Sequence, residues 1–400
     1  MANRLRLFFF ALFVPYGVFL PFFPTWLAGR GIGGLSLSVL MSFLPALGVI
    51  GPPIFGALSD WLGLRSGLLR WTTAVGTGAM VLLAAAALRG NEPPLWVLFL
   101  SVFLLAASRA PSVAMADVIA VEATKPTEER PKPTSYGSIR LWGSIGFLVA
   151  ATAGPMLDMT ARAPFPLFLA VTMACVFALS FTFEAPAPPR APALGAPLWA
   201  LLKRRPFAML LVAAFLGFGA HVSYDLCFSL HLTKLGANMR WIGVGWSIGT
   251  FSEALLMAFS GRFLSKIEPS KLLIVAFAGG AIRWLLIATI KNTSVLTALQ
   301  PLHAISFALF WVTAMEHVKR LSPREILGSA QGVFNAAVGA GAVAGMFVWR
   351  SIFEAHGGAR TFAWAALAAF GAAVAAAFTR VEVSSHMVLP GSGQARTARQ

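Results

Sequence analysis

Apolar residues dominate this chain in long stretches, separated by short polar connections. Stretches of spanning length fall at roughly 5–28, 35–59, 67–88, 94–120, 138–158, 164–183, 206–232, 239–264, 271–290, 294–318, 325–353 and 359–379. A helix needs about 20 mainly apolar residues to cross the hydrocarbon. The pattern therefore predicts an all-α polytopic membrane protein with twelve transmembrane helices. The opening run follows two arginines but is too long for a signal-peptide core and lacks a clean small-residue cleavage site, so it is read as a retained first helix.

Composition supports this. Hydrophobic residues make up 58% of the 400 positions and charged residues 12%, about half the charged share of a soluble protein. The net charge of +16 is distributed unevenly. If the N-terminus is cytoplasmic, twenty Lys and Arg side chains lie on inner segments and seven on outer ones. That bias fits twelve spans with both termini inside, as expected in a bacterial-type inner membrane. No loop is long enough for a basic domain, which excludes nucleic acid as a partner. Cys175 and Cys227, in separate spans, read as packing residues rather than a disulfide or metal pair.

The longest inner connection, EAPAPPRAPALGAPLWALLKRR at 184–205, is rich in Pro and Ala and then basic. It reads as an extended linker at the cytoplasmic surface. The expected organisation is an N-terminal six-helix half (1–183), this linker, a C-terminal six-helix half (206–380) and a disordered tail (381–400). A faint repeat joins Gly56–Asp60 with Gly261–Ser265, each ending the second span of its half. Paired halves of this kind are typical of carriers with a binding site between them.

The decapeptide GALSDWLGLR at 56–65 resembles the loop signature of the major facilitator superfamily. Gly56, Asp60, Gly63 and Arg65 match it, while Trp61 and Leu64 stand where the family has basic residues. Asp60 and Arg65 are expected to form a gating latch. The strings VPYGVFLPFFPTWL (14–27), YGSIRLWGSIGF (136–147), HVSY (221–224), IGVGWSIGTFSEALLMAFSGRFL (242–264), IRWLL (282–286), LHAISFALF (302–310) and SAQGVFN (329–335) are similar to the branch that holds the phenylpropionate permease, near lactose permease and the nucleoside–proton symporters. The resemblance implies a twelve-helix transporter, two pseudo-symmetric halves, and movement of a small organic solute together with protons.

Ionisable side chains in hydrocarbon are costly and mark pathways or partners. Arg109, Asp117, Asp225, Glu253 and Arg283 lie deep in spans, with His221 and His303 nearby. Asp117 and Arg140, on helices joined by one inner loop, form either a cytoplasmic gate or a structural pair. Arg109 either meets an anionic solute through its guanidinium fork or pairs structurally. His221, Tyr224, Asp225 and Phe228 share one helical face.

In lactose permease a carboxylate, an Arg and a His occupy spans 8, 9 and 10. By that resemblance Glu253, Arg283 and His303 serve proton coupling, with Asp225 as a second proton site or a ligand for a polar group. The family's carboxylate three residues after the histidine is Ser306 here. His303 is then either a solute ligand or a packed histidine. Glu316 lies thirteen residues from His303, which at about 100° per residue puts it roughly 140° round the helix. Beside Lys319 and Arg320, it is placed at the membrane interface together with His317. Tyr16, Trp142, His221, Tyr224 and Phe310 are expected to line the cavity with Phe19 and Phe22. Gly143, Gly146, Gly154, Gly339, Gly341 and Gly345 allow close helix approach.

No Walker loop, nucleophile elbow or metal spacing is present, so neither enzymatic activity nor a cofactor is expected. The partners expected are the solute, protons and lipid, and the chain is expected to be a monomer. AATAGPMLD (150–158) partly resembles the Gly-Pro signature of drug–proton antiporters, which keeps a proton-driven exporter as the alternative. A non-transporting receptor or scaffold is the more distant one.

Overall fold

A computed structural model describes residues 1–62, 65–89, 92–123, 136–157, 162–184, 196–264, 266–323 and 326–380. The disordered-tail expectation for 381–400 falls outside them. No strand occurs among the described residues. The helices are α1 (Ala2–Ala28), α2 (Gly34–Leu62), α3 (Arg65–Leu88), α4 (Leu95–Ala123), α5 (Tyr136–Ala153), α6 (Pro164–Leu179), α7 (Ala196–Leu202), α8 (Arg205–Lys234), α9 (Met239–Phe259), α10 (Gly261–Leu264), α11 (Pro269–Thr289), α12 (Thr293–Ala298), α13 (Phe310–Leu321) and α14 (Leu327–Ala377).

All twelve predicted segments fall on this helical framework, although among the described residues eight helices are individually long and apolar enough to cross a membrane. Four features account for the difference. The 51-residue α14 is far longer than one span requires. It bends at Gly357, whose φ of 77° is open to glycine and costly for other residues, and so supplies the last two spans. The sixth span is a helix of 16 residues. The tenth is assembled from α12, a π-helical segment at Ala304–Leu309 and α13. α5 ends in the 3-10 turn Gly154–Met156.

Small residues set the helix spacing. A Cβ on Gly146 would run into the backbone carbonyl of Phe10, and one on Gly341 into that of Phe215. These contacts pack α5 on α1 and α14 on α8. Gly345 lies under the carbonyl of Gly219, which also accepts a hydrogen bond of 2.5 Å from Trp349 Nε1. Aromatic packing adds to this: Phe19 stacks on Phe23 at 4.3 Å, and Trp26 meets Phe165 of α6 at 5.4 Å. Pro15, Pro21 and Pro24 inside α1 each remove a backbone donor. Membrane helices tolerate this where neighbouring groups satisfy the freed carbonyls.

α2 packs on α14, α5 on α9 and α1 on α8, so the first six spans meet the later ones along three seams. At the end predicted to be outside, the seams close. Thr152 and Ser247 hydroxyls bond at 2.6 Å. The amide of Gly34 donates to Glu354 Oε1 at 2.5 Å, and Arg350 pairs with the same carboxylate oxygen at 2.7 Å. At the opposite end Arg70 of α3 bonds Glu184 beyond α6, and that hydrogen bond holds the exposed carboxyl below its ordinary pKa range.

One expectation needs correction here. The 184–205 linker is not extended throughout. Ala196–Leu202 forms α7, because Leu201 buries itself in the core formed by α8, α11, α13 and α14. His317, placed at the interface with Glu316, faces the protein. It is buried, with Nε2 3.0 Å from the carbonyl of Thr379. Glu316 does pair with Arg320 at 2.9 Å and Lys319 at 3.8 Å. The 100°-per-residue count that separated it from His303 does not hold through the π segment, whose turns are wider.

Candidate functional site

The later spans bring most of the predicted ionisable residues into one cluster. Arg283, on α11, has no solvent exposure. A buried cation requires partners, and here three neutral acceptors provide them. Nη2 donates to Gln300 Oε1 at 2.7 Å, and Nη1 lies 3.0 Å from Ser306 Oγ and 3.1 Å from His303 Nδ1. The guanidinium also sits over the rings of Tyr224 at 4.4 Å and Trp284 at 4.6 Å, a favourable placement for a cation.

A guanidinium has no acceptor, so Arg283 fixes the tautomer of His303. Nδ1 accepts, and in the neutral ring the proton rests on Nε2. That nitrogen lies 3.4 Å from Glu253 Oε2 of α9. Carboxylate, imidazole and guanidinium thus form a chain over three helices. Positions 300, 303 and 306 present their side chains together because α12 and the π segment meet here.

α8 supplies the adjoining wall. His221 packs between Phe218, Phe307 and His303, at ring distances of 5.6, 5.0 and 5.2 Å. Its Nε2 is 3.9 Å from Asp225 Oδ1, beyond hydrogen-bond reach. Its Nδ1 is buried with no partner. Tyr224 stacks on Phe228 and tilts onto Trp246, each at 4.6 Å. Trp246 in turn faces Phe147 of α5 at 6.4 Å, across the seam.

The earlier spans supply a separate group. Arg109 of α4 lies over the ring of Tyr16 of α1 at 4.7 Å. The Tyr16 hydroxyl and Arg109 Nε are buried and make no hydrogen bond. Arg140 pairs with Asp117 at 3.6 Å and covers Phe13 at 4.4 Å.

The remaining expected residues are placed differently. Trp142 is exposed, and Phe310 is buried in a ring cluster with Phe218, Phe277, Trp311 and Phe334. Phe310 is therefore a packing residue, because the π turns direct it to the helix core rather than to the His303 face. The side chains of the expected latch, Asp60 and Arg65, lie outside the described residues. Both cysteines are free.

Sequence reasoning misses Gln300 and Trp246 as members of the site. Ser306 stands out there only as the substitute for a carboxylate, and the structure gives it a positive task as an acceptor for Arg283.

Apolar spans packed along two-sided seams, with ionisable groups buried between them, define a multi-pass membrane transporter of small solutes. Residues 2–364 match the MFS_1 like family, and the chain belongs to that family. It is 29% identical to the maltose permease of Geobacillus stearothermophilus over 82% of both chains. It is 26% identical to the probable 3-phenylpropionic acid transporter of Escherichia coli (strain K12), over 86% of this chain and 89% of that one. The crystal structure of the nucleoside transporter NupG superposes with a TM-score of 0.78 at 18% identity, covering 94% of this chain and 98% of that one. These relatives are transporters, not enzymes.

Proposed function

We propose that the chain is a proton-coupled symporter of a small organic solute, an aromatic acid, sugar or nucleoside. One observation carries the reading: His303 is held between a carboxylate and a guanidinium on two other helices. Glu253 takes the proton. A cation that approaches or withdraws changes how firmly a carboxyl holds its proton. Rearrangement of α9 against α11 and the tenth span would change that balance, loading the proton on one face and releasing it on the other.

The two halves, 1–183 and 206–380, rock about the seams of α1, α2, α5, α8, α9 and α14. Asp117 and Arg140 gate the inner side, with Asp60 and Arg65 as a second latch. The sealed seams at the other end suit a carrier closed to the outside of an inner membrane, with both termini cytoplasmic. It acts as a monomer.

The test is accumulation in proteoliposomes under an imposed inward proton gradient. Uphill uptake of one of these solutes supports symport. Gradient-driven loss of solute overturns it in favour of an exporter.

A further inference from the structure

Arg109 is out of place as a structural residue. It sits mid-span in α4, and its Nε is buried. Among the described residues no carboxylate lies within ion-pair distance of it. Its neighbours are the Tyr16 ring at 4.7 Å and, electrostatically, a second cation, Arg140. Arg140 has its own carboxylate in Asp117. Arg283, among the later spans, has acceptors for both terminal nitrogens, although its Nε, like that of Arg109, makes no hydrogen bond. An uncompensated cation between membrane helices is expensive, and Tyr16 adds a buried hydroxyl with no partner directly beside it. Two adjacent groups, both able to donate, therefore lack an acceptor.

The charge balance across the seam points the same way. The described deep-lying charges of the earlier spans are Arg109, Arg140 and Asp117, which leaves one positive charge over. Those of the later spans are Arg283, Glu253 and Asp225, which leaves one negative charge over when both carboxylates are ionised. A solute that inserts a single anionic oxygen group on the α1–α4 side neutralises that excess. Arg140 stands between this group and Glu253, since both Arg109 and Glu253 lie within its electrostatic reach. The seam between the two groups of spans carries the rings of Phe147 and Trp246, with Tyr224 against Trp246, and these would pack on an apolar or aromatic body as the seam opens.

We infer that Arg109 and Tyr16 form a carboxylate anchor, and that the solute is a monocarboxylate with an apolar or aromatic body. The guanidinium holds the carboxylate through its paired donors, and the Tyr16 hydroxyl donates to the same group. The inference rests on reading the chain as a carrier with its solute between the two groups of spans, and it does not depend on proton coupling.

The experiment is thermal shift and isothermal titration on the purified full chain. The probes are 3-phenylpropionate, its uncharged amide, benzoate, maltose and uridine. The carboxylates are expected to bind, with 3-phenylpropionate at least tenfold tighter than its amide. Arg109→Gln is expected to abolish that discrimination, and Tyr16→Phe, which keeps the ring under Arg109, to weaken carboxylate binding several-fold. Tyr16→Phe carries the test by itself if Arg109→Gln does not fold. The inference is overturned if amide and acid bind alike, if maltose or uridine binds and no carboxylate does, if no probe binds, or if both variants keep the wild-type preference. Carboxylate binding and exchange without proton-driven accumulation would uphold the anchor and remove the symport reading.

Discussion

Nε2 of His303 lies 3.4 Å from Oε2 of Glu253, and it is the nitrogen left carrying the proton once Arg283 has claimed Nδ1. The pair is therefore oriented before any solute arrives. Glu253→Gln keeps the size and a hydrogen-bonding side chain but cannot exchange a proton. Uphill accumulation is expected to vanish while solute exchange at equal concentration persists. Paired uptake and counterflow measurements in proteoliposomes check this. Retained accumulation in Glu253→Gln would falsify the coupling assignment.

Arg283 makes three side-chain contacts from a site without solvent exposure. Lysine offers a point charge on a flexible stem and cannot serve three acceptors in fork geometry. Arg283→Gln is expected to cost about 3 kcal/mol, since hydrogen bonds to charged groups are worth about 1.5–3 kcal/mol each and stranded acceptors add desolvation. Arg283→Lys should recover little of it. Thermal unfolding followed by tryptophan fluorescence reads both, and a lysine variant with wild-type stability would argue against the fork.

Glycine contacts separate close packing from mere composition. Gly341→Ala forces a methyl onto the Phe215 carbonyl, and Gly146→Ala forces one onto that of Phe10. Each is expected to destabilise by about 1–3 kcal/mol, the usual cost of overpacking. At Gly48 and Gly332 an added methyl would meet nothing within 4 Å, so Gly48→Ala and Gly332→Ala should be close to neutral. Equal losses at all four positions would contradict the packing account.

The outer seam depends on Glu354, which receives the first amide of α2 and the guanidinium of Arg350. Glu354→Ala removes both interactions and should favour an outward-open form. A cysteine placed at Thr25, buried at this end, in a background without Cys175 and Cys227, should then react faster with a membrane-impermeant maleimide. Unchanged labelling would show that the latch does not hold the seam.

The bilayer imposes a strong pattern on a chain, which is why the twelve segments and the close-approach glycines are legible from periodicity and residue size alone. The cluster is legible in part, because Glu253, Arg283 and His303 stand out as ionisable residues among apolar ones. Gln300 and Ser306 do not stand out. Uncharged polar residues are common near span ends, and only the fold shows that both turn toward Arg283. The packing of Phe310 and His317 is not legible for a shared reason: both follow a change of helical pitch that no hydropathy pattern records. Leu201 and its neighbours read as linker because a helix of seven residues is too short to leave a periodic signal.

The π segment at Ala304–Leu309 has a consequence for descent as well as for geometry. A π turn is an α-helix holding surplus chain. The wider turns take up that residue, so removing it would restore regular winding and leave Phe310, Ala314, His317 and Val318 on about the same faces of α13. The surplus residue therefore shapes the turn that brings Gln300, His303 and Ser306 onto Arg283, not the packing beyond it. A relative with a one-residue gap between His303 and Phe310 should keep the packing residues of α13 and differ at the contacts of Arg283.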